Sequence, residues 1–299
     1  MKKIAVVANS QKINPENFLD TLEDFLKEKG FKLVPIIYAK WDHLPDPNDI
    51  DLEPYKNITA IISIGGDGTL LYTARLFSGM HIPIFAVNFG HCGFITEIES
   101  IELFDEFNTF IQGKAKIEKR LMLSISIKRG NQSLVHYTAL NDGVICLGSI
   151  TRIIELDCFV NDHHLGKIRS DGLIVSTPTG STAYSMSAGG PIVLPACEAI
   201  IITPICPHSL TVKPFLVSAN DIIKVKITEE KKWNQNLYLN IDGKEKFLLQ
   251  YEDEVIFARH SEQTLLVHSS KRDFYTILKN RFLWINPIQE NSHVIRTEY

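Results

Sequence analysis

The chain has 299 residues, 44% of them hydrophobic and 22% charged, with a net charge of −4. That length makes one large or two medium domains with ample core, and the slight acidity gives no support for a nucleic-acid or anionic-membrane surface. No run approaches the roughly 18 apolar residues of a membrane-spanning helix, which excludes one. The opening Met1-Lys-Lys-Ile-Ala-Val-Val-Ala-Asn-Ser10 is too short in its apolar part for a signal peptide and reads as a buried strand over 3–8. A helix follows over 15–29: Phe18, Leu19, Leu22, Phe25 and Leu26 recur at helical spacing, Pro15 suits the first turn and Gly30 the stop. Next come a strand over 31–37, a loop punctuated by Pro45, Pro47 and Pro54, a strand over 58–64, a helix over 69–76, a strand over 82–87 and helical periodicity over 101–111. Such alternation predicts a parallel α/β sheet with ligands beyond the carboxyl ends of its strands.

After about residue 119 the pattern changes. Leu121, Leu123, Ile125 and Ile127 alternate with Met122, Ser124, Ser126 and Lys128, which is strand periodicity. Gly130-Asn131 makes a turn and 133–147 returns as a second strand. Short strands then fit 152–160, 172–176, 221–228, 236–241, 245–250, 254–259 and 263–268, with turns at Asn161-Asp162 and Asp242-Gly243. The tail over 274–284 is helical again and is expected to pack back on the first domain.

Three segments carry chemistry. The strand over 58–64 ends in Gly65-Gly66-Asp67-Gly68, and Thr69 opens a helix. A strand turning through glycines into a helix gathers backbone N–H groups at a positive dipole end, which suits phosphate oxygens. Phosphate repels a carboxylate there unless it binds a metal or takes a proton, so Asp67 is the first candidate for chemistry. Taken alone, the cluster also fits a tight turn with Asp67 capping the helix. The second segment, 171–191, is dense in small and hydroxyl-bearing residues, with Gly180-Ser181-Thr182 placed to open a helix. A smooth face lets a flat group approach while hydroxyls and amides read its edge; close packing on a sheet would favour the same residues. The third is Asn141-Asp142-Gly143, at a bend in β structure or a type I′ turn.

The five cysteines (Cys92, Cys146, Cys158, Cys197, Cys206) are scattered, with no Cys-x-x-Cys spacing, which argues for a reducing, cytoplasmic compartment. His91, His208 and His163-His164 lack a third ligand at suitable spacing, so no protein ligands to a metal are assigned.

In order along the chain, Gly65-Gly-Asp-Gly-Thr69, Asn88-Phe-Gly-His-Cys-Gly-Phe-Ile-Thr-Glu97, Asn141-Asp142 and 171–191 resemble the motifs of NAD kinases. Ser176-Thr-Pro-Thr-Gly-Ser-Thr-Ala-Tyr184 is close to identical with that family's signature, and Pro207-His-Ser-Leu210 and the 272–284 tail look like it too. The resemblance implies an α/β, Rossmann-like N-terminal domain over 1–118, completed by 270–299, and a mostly-β NAD-binding domain over 119–269, the NAD kinase/diacylglycerol kinase-like fold. It implies transfer of the γ-phosphoryl group of ATP, or in some members polyphosphate, to the 2′-hydroxyl of the adenosine ribose of NAD, yielding NADP in an active site between the domains.

By that resemblance Asp67 is the general base, and Gly65, Gly66, Gly68 and Thr69 form the donor-phosphate loop, with a divalent cation, Mg²⁺, arriving with ATP. Asn141 and Asp142 fall on the adenosine side; the family commonly has Glu where Asp142 stands. Gly68, Leu71, Phe94, Thr182, Ala183, Tyr184, Ser185, Met186 and Ser187 match NAD-contacting positions. Asp171 matches a position that reaches the nicotinamide part across a subunit boundary, which implies a homodimer or homotetramer. Arg152 and Arg169 are candidate partners for phosphate or carboxylate charge, with solvated surface arginine as the alternative, and Cys206 matches a small pocket-lining position. A lipid or sugar kinase would share the glycine loop but leave the 176–184 segment unexplained. A non-catalytic NAD(P)-binding regulator would not need Asp67. No Gly-x-Gly-x-x-Gly stands in the chain, which disfavours a hydride-transferring dehydrogenase.

Overall fold

Strands that read as unbroken apolar runs are strands covered on both faces. In the computed structural model, which describes residues 1–9, 15–38, 50–89, 93–148, 153–228 and 236–282, the first part of the chain forms β1 (Lys2–Asn9), α1 (Pro15–Glu28), β2 (Phe31–Tyr38), β3 (Ile58–Ile64), α2 (Asp67–Leu76), β4 (Ile84–Asn88), a two-residue β5 (Ile98–Glu99) and α3 (Leu103–Ile111). Strands β1 to β4 pair in parallel in the order β2-β1-β3-β4. Ile4, Val6 and Ala8 face α1 and α3, in one apolar cluster with Leu22, Leu26, Leu103 and Phe107. Their neighbours Ala5 and Val7 face the other way, in a cluster with Leu70, Leu71 and Ala74 of α2. Phe107 sits among the rings of Phe25, Phe31 and Phe85, at centroid distances of 5.9, 5.4 and 5.6 Å. The turn into α2 therefore opens at the carboxyl edge of this sheet, as the sequence predicts.

The rest is mostly strand: β6 (Ile117–Arg120), β7 (Leu123–Arg129), β8 (Gln132–Ala139), β9 (Asp142–Leu147), β10 (Ile154–Val160), β11 (His163–Ser170), β12 (Gly172–Ser176), then the short α4 (Tyr184–Ser187), β13 (Ala199–Ile205), β14 (Phe215–Ser218), β15 (Ile223–Ile227), β16 (Leu237–Ile241), β17 (Glu245–Leu249), β18 (Asp253–Arg259) and β19 (Thr264–Val267), with α5 (Phe274–Phe282) last. Two six-stranded antiparallel sheets, β11-β10-β15-β18-β7-β8 and β14-β13-β12-β9-β16-β17, share one apolar core. Ile125, Ile127, Val225 and Phe257 of the first meet Ile145, Leu173, Val175 and Leu239 of the second. This is an α/β N-terminal part followed by a mostly-β part.

Two local expectations change, and a third, the tail helix, forms where it was expected. The strand expected over 133–147 is two strands in different sheets, broken at Leu140 and Asn141. The strand expected over 263–268 within the β-rich part belongs to the first sheet: β19 lies between β4 and β6, parallel to one and antiparallel to the other. Its Leu266 and Val267 complete the two apolar layers of that sheet, which decides its place. The tail helix α5 touches the first part through Phe282, whose ring lies 5.9 Å from that of Phe94, and buries Ile277 and Leu278. Residues 283 and 284 of that expected helix lie outside the described residues.

Candidate active site

Asp67 is the first residue of α2, and Gly66 is its cap. The first helical bonds run from Thr69 N–H and Leu70 N–H to the Gly66 carbonyl. The N–H groups of Asp67 and Gly68 therefore precede the helical ladder and face outward, with the dipole behind them. The loop after β4 closes over the Asp67 carboxylate. Thr96 Oγ1 donates to Asp67 Oδ1 at 2.8 Å, Thr96 N–H donates to the same oxygen at 3.3 Å, and Phe94 N–H donates to Oδ2 at 3.3 Å. Asn88 Nδ2 donates to the Thr96 carbonyl at 2.9 Å and fixes that loop to the end of β4. Gly93 is required by the approach, since a Cβ there would lie 1.9 Å from Asp67 Oδ1.

The glycine loop works partly in an unexpected way. The Gly65 N–H is taken by the Val87 carbonyl at 2.9 Å, and a Cβ on Gly65 would lie 2.1 Å from Thr69 Oγ1. The missing side chain of Gly65 thus makes room for Thr69. Thr69 is itself buried and shares a 2.8 Å hydrogen bond with the Tyr38 hydroxyl. Burial, opposed by that bond, holds the Tyr38 phenol above its ordinary range, so it stays neutral. Gly65 and Thr69 shape the loop from behind, and Gly66, Asp67 and Gly68 form its outer rim.

The second half of the site is the crossing from β8 to β9. Asp242, just past β16, turns its carboxylate onto this crossing and accepts N–H bonds from Leu140 at 3.0 Å, Asn141 at 2.8 Å and Asp142 at 3.2 Å. Those N–H groups would otherwise continue a strand ladder, which explains the break. The crossing residues have no left-handed backbone, so the type I′ turn is not formed there; it is Asp242 and Gly243 that have positive φ, +49° and +69°. From the other side Thr177 N–H donates to the Asn141 carbonyl at 2.8 Å and Thr177 Oγ1 to the Leu140 carbonyl at 2.6 Å. Gly180 packs so closely that a Cβ would lie 2.2 Å from the Asn141 oxygen. Asn141, Asp142, Val144, Cys146, Ala183, Tyr184, Asn240, Asp242 and Gly243 line an open cavity of about 350 Å³. Helix α2 links the halves: Leu71 shares an apolar cluster with Leu140, and Lys244 Nζ sits 5.2 Å from the Tyr72 ring centre.

The 176–191 segment differs from expectation. Gly180–Thr182 is a single 3₁₀ turn, and the helix that follows, α4, has only four residues. Ala183 leaves helical backbone at φ −98°, ψ −130°, and Gly189 at φ +88° ends the run. Most hydroxyls expected to read a ligand are used internally. Ser181 Oγ donates to the Pro178 carbonyl at 2.6 Å and accepts from Val193 N–H at 3.0 Å, and Thr182 Oγ1 donates to the Thr179 carbonyl at 3.2 Å. Ser185 is fully buried and its hydroxyl shares a 2.8 Å bond with the Thr203 hydroxyl. Tyr184 and Ser187 are exposed, Ala183 and Met186 half-buried.

Asp171 and Arg169 are exposed around the start of β12; Asp171 N–H donates to the Ile205 carbonyl at 2.9 Å, and the Arg169 carbonyl accepts from His208 N–H at 2.9 Å. Cys206, directly after β13, is exposed with φ +44°. Arg152, His91 and Cys92 lie outside the described residues. Glu97, Glu118 and His268 bring three potential metal ligands together, but Arg120 Nη2 already sits 2.8 Å from Glu118 and 3.4 Å from Glu97. Sequence reasoning missed Asp242 and Tyr38 as parts of the candidate site, and within the 88–97 motif it singled out neither Gly93 nor Thr96. Asp242-Gly243 reads as a plain turn, and nothing in the sequence marks its carboxylate as buried.

Among the described residues no helix is long and apolar enough to cross a membrane. Residues 48–115 match the ATP-NAD kinase N-terminal domain and residues 140–269 the ATP-NAD kinase C-terminal domain. The NAD kinase of Caldanaerobacter subterraneus subsp. tengcongensis is 38% identical over 286 residues, 94% of this chain and 99% of that protein. The yeast NADH kinase complexed with NADH has the same fold, with a TM-score of 0.80, 23% identity and coverage of 99% of this chain and 90% of that one. So does an NAD kinase from Archaeoglobus fulgidus in complex with ATP, at a TM-score of 0.72 and 24% identity over 94% of this chain and 99% of that one. A carboxylate at a glycine-rich helix start, a cavity at a braced sheet crossing and two matching family domains converge on one conclusion: the chain belongs to the NAD kinase family.

Proposed function

We propose that this NAD kinase family member moves the γ-phosphoryl group of ATP to the 2′-hydroxyl of the adenosine ribose of NAD, with Asp67 accepting the hydroxyl proton. The ribose oxygen forms the new bond to the γ-phosphorus, the bond to the β–γ bridging oxygen breaks, ADP departs and NADP remains. The supporting observation is the setting of Asp67: a half-buried carboxylate oriented by Thr96 and Phe94 at the opening of α2. A ribose hydroxyl is a poor nucleophile, and a placed base contributes about 10²–10⁴-fold. Positioning and charge supply most of the remainder.

In this reading the Asp67 and Gly68 N–H groups meet the donor phosphates, and the divalent cation enters with ATP to neutralise charge between them. Asn141 and Asp142 take the adenosine side, while Leu71, Phe94, Thr182, Ala183, Tyr184, Met186, Ser187 and Cys206 line the dinucleotide path. Arg169 and Asp171 serve its far end, and their exposure suits a site shared in a homodimer or homotetramer. Four free thiols among the described residues accord with a cytoplasmic location.

The test is incubation with ATP, Mg²⁺ and NAD, with NADP read by an NADP-specific dehydrogenase. Asp67→Asn is expected to lower turnover at least about 100-fold while retaining NAD binding. An active Asp67→Asn enzyme would refute the base assignment, and absence of NADP from the unaltered protein would refute the reaction.

A further inference from the structure

Strand register sets three polar side chains in a row beneath the cavity. Ser176 of β12 pairs with Asp142 of β9, and β9 pairs Gly143 with Ile241 of β16, so the next residue, Asp242, falls beside Asp142. The Asp242 N–H donates to the Asp142 carbonyl at 3.0 Å. Both side chains are buried, Asp142 4% and Asp242 7% exposed. Like charges directly opposed on neighbouring strands repel, and two buried carboxylates at one site do not both ionise readily.

The surroundings divide the roles. Burial raises the Asp242 pKa, but three accepted backbone N–H bonds and the positive charge of Arg75 oppose that rise. Among the described residues the Asp142 carboxylate accepts no hydrogen bond, and it lines the cavity. Burial first, then the charge of Asp242, push the Asp142 carboxyl up to about 8. Beside it Ser176 Oγ and Asn141 Oδ1 are buried without hydrogen-bond partners.

We propose that Asp142 and Asp242 hold one proton between them, carried by Asp142, and that the dinucleotide binds this singly protonated form. The proposal deepens the kinase reading and rests on it for the identity of the ligand. A neutral Asp142 can donate to an acceptor on the ligand. Losing the proton would set a second negative charge under an anionic dinucleotide. Asp242 is then a positioning residue, holding the crossing through its N–H bonds and keeping its neighbour protonated. Other charged or titratable groups around this corner are Arg75 from α2, Lys244 and Lys246 from the β16–β17 hairpin, Asp171 ahead of β12, Cys146 on β9, Cys206 after β13 and Tyr184 on α4. Burial holds the Cys146 thiol and the Tyr184 phenol above their ordinary ranges, so both stay neutral at pH 7.

The experiment is calorimetric titration of the full chain with NAD, without ATP, from pH 7 to pH 9. Binding restricted to the protonated form weakens about tenfold over that interval. In Asp142→Asn this slope is expected to vanish; Asp242→Asn is expected to bind more weakly at pH 7 and also without slope. A slope that is absent from the unaltered protein, or that persists in Asp142→Asn, overturns the proposal. Infrared difference spectra of the ligand-free protein against Asp142→Asn give a second readout. A protonated-carboxyl band at pH 7 that fades by pH 9 supports the shared proton, and its absence refutes it. If the band is present but NAD does not bind, the dinucleotide reading fails while the shared proton stands; if NAD binds with neither slope nor band, only the shared proton fails.

Discussion

Gly93→Ala tests whether the position of the Asp67 carboxylate, rather than its mere presence, sets the rate. Gly93 has no left-handed backbone, so alanine brings no conformational penalty of its own. Its Cβ, however, would lie 1.9 Å from Asp67 Oδ1 and 2.5 Å from Thr96 Oγ1, where an ordinary contact begins near 3.4 Å. The carboxylate must retreat by about 1.5 Å, and the donor that orients it must move as well. Misplacing a reacting group by about 1 Å can cost on the order of 100-fold in rate. The coupled NADP assay should therefore show kcat reduced roughly 100-fold, with the KM for NAD changed less than about threefold because the cavity at Asn141 and Asp142, proposed for the adenosine, is untouched. Calorimetric melting controls for damage to the fold. A folded Gly93→Ala enzyme with near-normal kcat would refute the idea that Thr96 and Phe94 hold Asp67 where the chemistry needs it.

Two further outcomes are expected. Gly180→Ala places a Cβ 2.2 Å from the Asn141 oxygen and 2.6 Å from its carbonyl carbon, backbone atoms with no rotamer to escape into; strain of about 1–3 kcal/mol should raise the KM for NAD roughly tenfold while Asp67 chemistry is less affected, as steady-state kinetics would reveal. His268 Nδ1 lies 2.8 Å from Glu97 Oε2, and the Glu97 carboxylate raises its pKa against the opposing effect of burial. A raised folded-state pKa contributes stability that is complete below the unfolded value of about 6.5 and is lost as pH rises through the folded one, so melting temperature should fall from pH 6 to pH 8, and His268→Gln should flatten that fall.

The first sheet was legible because its strands are buried on both faces and its turns are marked by glycine and proline. Periodicity at Leu22, Leu26 and Phe107 identified the helices that cover it. The β-rich part was read less completely. β11 exposes His163, His164, Leu165, Lys167 and Arg169, so its sequence carries little apolar alternation. β13 contains Pro204, which breaks a strand pattern on paper; here β14 pairs only with 199–202 and ends before the proline. At the site, local motifs pointed to Asp67, Asn141 and Asp142. Asp242 escaped notice because its role depends on a partner about 100 positions earlier, and a turn dipeptide does not announce that its carboxylate faces inward.

The place of β19 has a bearing on how the chain folds during synthesis. The strand that fills the gap between β4 and β6 is made only after residue 263; until then β5 covers just the Val87–Asn88 end of β4, and the edge at Ile84 stays unpaired and flanked by apolar surface. A nascent or prematurely terminated chain therefore offers a template for pairing with its own copies. Wedging a late segment into an early sheet gives two-part integrity, at the expense of a long vulnerable interval on the ribosome.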